Sequence, residues 1–301
     1  MPVLNEEKHL AQAVRSIFEQ EQVGPTEVIL ALGPSTDDTD KVAEALANEF
    51  DVVLVDNPTG KTPAGLNAAI RAARNDVVVR VDAHSELSPG YTKLAVEILN
   101  QTGADNVGGV MKAVGFTPFQ KAVAYAYTSR VGLGGGSFHV GGKAGPSDSV
   151  YLGVFRRDRL LSVGMFDERM IRGQDWQLNL RIREAGGTVW FDPRLEVTYH
   201  PRAKLGRLAK QFFDTGFWRA LITKSAPAKA NLRYFAPPVL VVSSVLVVPA
   251  LVYILGILAA AVLARGLGFR TRLSLLVALP VMHYCWGAGF IRGLFAKSVN
   301  S

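Results

Sequence analysis

Two carboxylates carry the chemical promise of this sequence. Asp82 closes the run Asp76-Val77-Val78-Val79-Arg80-Val81-Asp82-Ala83-His84, and Asp175 follows Arg172-Gly173-Gln174 at the start of a helix-like stretch. The valines suit a buried strand, and Ser85, Ser88, Pro89 and Gly90 stop it. In open α/β sheets, ligands gather outside the carboxyl ends of strands. Asp82 and His84 have the types and spacing to hold a divalent metal on a diphosphate, because Mg²⁺ is commonly bound by one or two carboxylates plus substrate phosphates. An isolated Asp-x-His equally makes a polar strand cap. Asp175 also has two readings: it complements the positive start of a helix, or it acts as a general base facing an acceptor hydroxyl.

The elements that position these residues follow from periodicity. Residues 5–20 read as an amphipathic helix capped by Asn5, with Leu10, Ala13, Val14, Ile17 and Phe18 on one face. A strand over 26–32, the turn Gly33-Pro34-Ser35-Thr36-Asp37-Asp38 and a helix over 37–49 come next. A strand over 51–55 and a helix over 62–73 then lead to the valine strand. Such alternation predicts a Rossmann-like α/β fold, a mostly parallel sheet with helices on both faces. A second region begins near Ala104, with a strand over 107–114 and a helix over 118–130. Between Gly132 and Gly145 stand seven glycines in fourteen positions. No strand precedes them and no helix directly follows, so the dinucleotide fingerprint fails on context, and a loop that orders over a substrate is expected. Leu178, Ile182 and Ala185 give the Asp175 helix its core face, and Gly186-Gly187 ends it.

Charge is unevenly spread. Residues 1–201 hold 20 Lys and Arg against 25 Asp and Glu, whereas 202–233 hold eight basic residues against Asp214 alone. A uniformly basic nucleic-acid binder does not look like this. The single cysteine, Cys285, excludes an internal disulfide and fits a reducing compartment. Phe235–Ala264 is 30 residues without a charge, and Leu273–Ile291 adds 19 with only His283 titratable. Each run meets the roughly 20-residue requirement of a membrane span, which predicts two helices, or three if Pro249 and Gly256 break the first run. Met1–Glu6 lacks the long apolar run of a signal peptide. The basic segment is therefore expected at the cytoplasmic face of an inner or plasma membrane.

Taken together, the motifs resemble those of the family-2 glycosyltransferases of the GT-A fold. The resemblance rests on Pro2-Val3-Leu4-Asn5-Glu6-Glu7, Ser35-Thr36-Asp37-Asp38-Thr39, Lys61 through Asn67, Asp82-Ala83-His84 at the family's D-x-D position, and Gln174-Asp175. The longer pattern is similar to the membrane-anchored exopolysaccharide enzymes of the succinoglycan type. It comprises Gly153–Arg157, Gly164–Glu168, Tyr199-His200-Pro201-Arg202, Gln211, Gly216-Phe217-Trp218-Arg219 and His283–Phe290. Two departures stand out. The family opens with an apolar strand ahead of the first motif, so either that strand lies upstream of Met1 or the sheet lacks it. Where the family has an Asp before the S-T-D turn, this chain has Leu32-Gly33-Pro34, which leaves a diphosphate site without marking the base as uracil.

The resemblance implies an inverting transfer from a nucleoside-diphosphate sugar to a lipid-linked or polysaccharide acceptor, in exopolysaccharide or envelope glycan synthesis. It implies donor contacts at Pro2, Leu4, Asn5, Glu6, Gly33, Ser35, Lys61, Asn67, Arg80 and Asp82. It further implies Mg²⁺ or Mn²⁺ at Asp82 and His84, and Asp175 as base. Gln174, Gln211, Trp218 and Arg219 become candidates for the diphosphate or acceptor; Trp218 and Arg219 also read as an interfacial aromatic and a snorkelling cation. Expected regions are a donor half over 1–103, an acceptor half over 104–200, a basic juxtamembrane segment over 201–234 and membrane helices over 235–301. Alternative readings are a polyprenyl-phosphate sugar synthase, a processive synthase, which the looser Gln211…Trp218-Arg219 disfavours, and a non-catalytic nucleotide-sugar-binding scaffold, which has no use for both Asp82 and Asp175.

Overall fold

A computed structural model describes residues 1–83, 85–225 and 231–297. In chain order its elements are β1 (Pro2–Val3), α1 (Leu10–Phe18), β2 (Val28–Leu32), α2 (Thr39–Glu49), β3 (Val52–Asp56), α3 (Thr62–Ala72), β4 (Val77–Val79), β5 (Glu86–Leu87) and α4 (Tyr91–Thr102). They continue with β6 (Asn106–Ala113), α5 (Pro118–Thr128), α6 (Ser137–Val140), β7 (Gly145–Pro146), β8 (Tyr151–Arg156), α7 (Arg157–Ser162), α8 (Gln174–Glu184) and β9 (Val189–Tyr199). The chain ends in α9 (Leu205–Ser225), a 3₁₀ turn at Leu232–Phe235, α10 (Ala236–Ser243), α11 (Val247–Leu263) and α12 (Phe269–Leu294). Contacts divide it into a first unit, Met1–Lys112 with Gly141–Tyr199, and a second, Ala113–Val140 with His200–Ser301. The Gly-rich stretch is thus where the chain leaves the second unit for the first.

In the first unit β1, β2 and β3 form a parallel sheet, with Val3 opposite Leu32 and Leu32 opposite Asp56. Leu10, Ala13, Val14 and Ile17 of α1 are buried in one core with Val3, Leu30, Val81 and Ala83. The predicted helix over 5–20 starts only at Leu10, and Asn5 does not cap it. Asn5 sits in the left-handed region at φ 55°, and its side chain is taken by the neighbouring turn, as described below. The second sheet has the order β4-β8-β6-β9-β5, and β4–β8, β6–β8, β5–β9 and β7–β9 all pair antiparallel. Parallel pairing in the first three strands gives way from β4 onward to these antiparallel pairs, most of whose partners are distant in sequence. A cavity of about 330 Å³ is lined by Met1, Val28, Ile29, Val78, Val79 and Phe155 among others.

The second unit is helical. The uncharged run from Phe235 is broken at Ser244–Leu246 rather than at Pro249 or Gly256. Pro249 falls in the first turn of α11, where its missing N–H costs no helical bond. Among the described residues one helix, α12, is long and apolar enough to cross a membrane; Leu232–Ser243 and Val247–Leu263 are shorter apolar helices. α12 packs along α9 through glycines. A Cβ on Gly216 would lie 1.9 Å from the Trp286 carbonyl oxygen, and one on Gly289 would lie 2.0 Å from that of Phe213. Small residues that let two helix backbones touch explain the spaced glycines of these two motifs.

Candidate functional site

Two sequence-distant loops interlock at the carboxyl ends of β1 and β2. Asn5 Oδ1 accepts hydrogen bonds from Thr36 N at 2.8 Å and from Thr36 Oγ1 at 3.2 Å, and Asn5 N donates to Ser35 Oγ at 3.0 Å. Glu6 N donates to Thr39 Oγ1 at 2.8 Å, and Asp38 N donates to Glu7 Oε2 at 3.1 Å. Gly33 N donates to Val3 O at 2.8 Å, and its missing Cβ makes room for Leu4 and Gly60. Pro2 leads into this shelf on β1. Lys61, exposed at the start of α3, borders it through its carbonyl, which accepts from buried Asn57. The shelf lies beyond parallel strand ends, where α/β sheets bind ligands.

Asn67 has a different placement. It is 2% exposed, and its amide clamps the Phe166 backbone through Nδ2→O at 2.8 Å and N→Oδ1 at 2.9 Å, with a further bond to Glu168. It joins α3 to the turn before α8.

The two carboxylates meet on one guanidinium. Arg80 is 6% exposed. Its Nε and Nη2 donate to Asp82 Oδ1 at 3.3 and 3.2 Å, while Nη1 donates to Asp175 Oδ1. Phe166 lies beneath the cation, with its ring centroid 5.8 Å away. Burial works against the Arg80 charge, but Asp175 and Asp82 hold it protonated well above its usual range. Burial pushes the Asp175 carboxyl up, and nearby Asp82 adds to this, while Arg80 pulls the other way. Asp175 still keeps 40% of its side chain exposed, and Asp82 24%, so both can be reached from solvent.

Local structure explains the meeting. Gly173 takes φ 77° to turn the chain into α8, so Gln174, 9% exposed, and Asp175 occupy its first turn. Further along α8, Asn179 accepts from Asn106 Nδ2 at 2.7 Å and donates to Ser149 Oγ at 3.0 Å, all three buried. These amides pin the helix to β6 and to the approach of β8. Sequence reading missed Tyr151, at the start of β8. Burial, and further the nearby Asp82 charge, pushes its phenol up. Only the pairing of β8 with β4 brings it there; nothing local in the sequence marks it.

Among the described residues no three metal-ligating side chains cluster, and His84 lies outside those residues. The site nonetheless fits a divalent ion. A partly exposed carboxylate at a strand end, already facing one cation, is a suitable anchor for Mg²⁺ or Mn²⁺ whose other ligands are phosphates and water.

In the second unit, Gln211 Nε2 donates to Tyr127 Oη at 3.0 Å. Trp218 packs edge-on to Phe217, and Arg219 stacks over the Tyr234 ring, 4.6 Å from its centroid.

Comparison with known proteins gives concordant matches. Residues 1–161 match the model of glycosyl transferase family 2. The chain is 34% identical to the succinoglycan biosynthesis protein ExoA of Rhizobium meliloti (strain 1021), over 98% of this chain and 93% of that protein. It is 23% identical, over 98% and 95%, to the dolichyl N-acetyl-alpha-D-glucosaminyl phosphate 3-beta-D-2,3-diacetamido-2,3-dideoxy-beta-D-glucuronosyltransferase of Methanococcus voltae. Among solved structures, the mannosyltransferase PcManGT from Pyrobaculum calidifontis, in complex with GDP-Man and Mn²⁺, superposes with a TM-score of 0.64 at 17% identity, covering 98% of this chain and 85% of that one. This shared fold is GT-A.

Proposed function

We propose a reaction from one premise: this chain belongs to glycosyl transferase family 2 and is a glycosyltransferase. It moves a sugar from a nucleoside-diphosphate sugar to a lipid-linked or polysaccharide acceptor, in exopolysaccharide or cell-envelope glycan synthesis. The observation that carries the reading is the convergence of Asp82 and Asp175 on Arg80, since the reaction needs a carboxylate on each side of the transferred sugar. Asp82 would anchor Mg²⁺ or Mn²⁺, with His84 as its proposed partner; when bound, the ion supplies neutralisation of the charge developing on the leaving diphosphate. Asp175 takes the proton of the attacking hydroxyl. Its raised pKa suits that role, because a base is most effective when its pKa lies nearer the working pH. One displacement, with the base opposite the leaving group, inverts the anomeric centre.

The shelf of Pro2, Leu4, Asn5, Glu6, Gly33, Ser35 and Lys61 receives the nucleoside and its phosphates. Asn67 supports the site by holding the turn before α8, and Gln174, Gln211, Trp218 and Arg219 serve the diphosphate or the acceptor. Residues 1–103 bind donor, 104–200 serve the acceptor and catalysis, and 201–234 lie on the cytoplasmic leaflet. Support for the membrane role comes from α12 and from apolar side chains at the helical end, including Val245 83%, Val247 73%, Val248 70% and Leu263 74% exposed. An apolar surface of this extent suits lipid. ExoA, similar over almost its whole length, is a biosynthesis protein of the polysaccharide succinoglycan by name, and PcManGT is held with GDP-Man and Mn²⁺.

The test is a donor screen on membranes containing the full chain, with UDP-, GDP- and dTDP-sugars and a polyprenyl-diphosphate-sugar acceptor. Metal-dependent transfer from one donor class is expected. Absence of transfer from every donor would favour a non-catalytic role.

A further inference from the structure

We propose that Arg219, Arg233 and His139 form a second anion site, within the helical unit, that takes the phosphate oxygens of the lipid-linked acceptor; the lipid source rests on the membrane reading above. Two guanidiniums share one ring. Arg219 lies 4.6 Å and Arg233 5.2 Å from the centroid of Tyr234, and Arg233 Nη2 donates to Tyr234 Oη at 3.4 Å. His139, on α6, stands at the same place. A Cβ built on Gly136 would be 3.6 Å from the His139 ring and 3.7 Å from Arg233 Nη1, so this glycine brings both side chains together. The Tyr127 ring packs edge-on to His139, and Tyr127 Oη accepts from Gln211.

The sequence of this unit is poor in acid: Asp214 is its only acidic side chain, and Lys210 bonds it at 2.7 Å. Burial works most strongly against the Arg219 cation; Tyr234 counters it, and the Arg233 charge adds a smaller repulsion. His139 Nδ1 is buried without a hydrogen-bond partner. Burial, aided by Arg233, pulls that ring down to about 3, so it stays neutral and can donate one N–H without adding charge. Paired guanidiniums with a neutral donor match a phosphate, which accepts several directed bonds and rewards the planar guanidinium fork.

The surroundings favour a lipid over free phosphate. Arg233 lies in the 3₁₀ turn between Leu232, 85% exposed, and Phe235, 37% exposed, and Val239 beyond is 62% exposed. A basic pocket with an apolar lip suits a headgroup whose chain continues into hydrocarbon.

The experiment measures capture by the full chain of phosphatidylcholine nanodiscs, with or without a polyprenyl diphosphate, in the absence of any nucleotide sugar. The polyprenyl diphosphate should strengthen capture, and the double variant Arg219→Gln, Arg233→Gln should lose at least about tenfold of that gain. His139→Leu should lose part of it. Lys121→Gln, an exposed charge on α5, should keep it, and Arg233→Lys should recover less than wild type because the fork is gone. Retained thermal unfolding keeps a misfolded variant from counting. Full capture by the double variant, or an equal loss in Lys121→Gln, overturns the proposal. Free pyrophosphate bound as tightly as the lipid overturns the lipid assignment. Arg-dependent capture here, together with no transfer from any donor in the donor screen above, would refute the transfer reading and leave this site standing.

Discussion

Replacing Arg80 with Met tests how the site is held. The substitution keeps most of the buried stem but removes the cation between Asp82 and Asp175. Breaking a buried ion pair from one side costs about 3–5 kcal/mol, because a charge is left uncompensated. Here the orphaned carboxylates are 24% and 40% exposed, so water reaches them and the lower end applies, about 2–3 kcal/mol after that discount. For a unit of this size each kcal/mol moves the unfolding midpoint by about 2–4 °C, which gives a fall of about 4–12 °C. Differential scanning fluorimetry reads it. Adding Mn²⁺ supplies a new cation to the same carboxylates, so Arg80→Met should gain more from Mn²⁺ than wild type does. An unchanged midpoint, or equal Mn²⁺ stabilisation of both proteins, would refute the claim that Arg80 is the resident counter-ion of this pair.

Other outcomes follow from the same geometry. Asp82→Ala should abolish Mn²⁺-dependent donor binding measured calorimetrically; the same affinity with and without Mn²⁺ in wild type would remove the metal role. Asp175 works as a base only when ionised, and burial raises its pKa, so kcat/KM should fall on acidification at a pH above the ordinary aspartate value of about 3.9. The stability sign is the opposite: a raised carboxyl favours the fold below its unfolded pKa, and that contribution disappears as pH rises through the folded value. Gly289→Val should force α12 off α9 at the Phe213 carbonyl and cost about 1–3 kcal/mol or more, seen as loss of the unfolding transition or of monodisperse elution in detergent.

Legibility differed by kind of feature. Asp82 and Asp175 were readable because each lies near an element boundary. Asp175 is at a helix start, and Asp82 is three residues beyond β4, which stops at Val79 although the valine run was expected to extend to Asp82. The role of Arg80 was not: it needs α8 brought against β4 across 95 positions, and no local pattern encodes that. Asn5 looked like a helix cap because capping residues and loop-bridging residues are the same types; its bond to Thr36 decided the matter. Alternating strands and helices gave β2 and β3 of the parallel layer. The two-residue β1 at Pro2–Val3, where the opening strand was expected upstream or missing, was not read, and antiparallel pairing of β4 with β8 depends on long-range register. The apolar C-terminal runs were plain from composition, but the stop at Ser244–Leu246 was not, since neither Pro nor Gly marks it.

Sugar transfer by Asp175→Asn is the most direct measurement. The asparagine keeps the shape at the start of α8 and removes the base, so transfer should fall by about 10²–10⁴-fold, while Mn²⁺-dependent binding of the donor nucleotide persists. Turnover equal to wild type under the same conditions would contradict the assignment of Asp175 and the two-carboxylate account built on it.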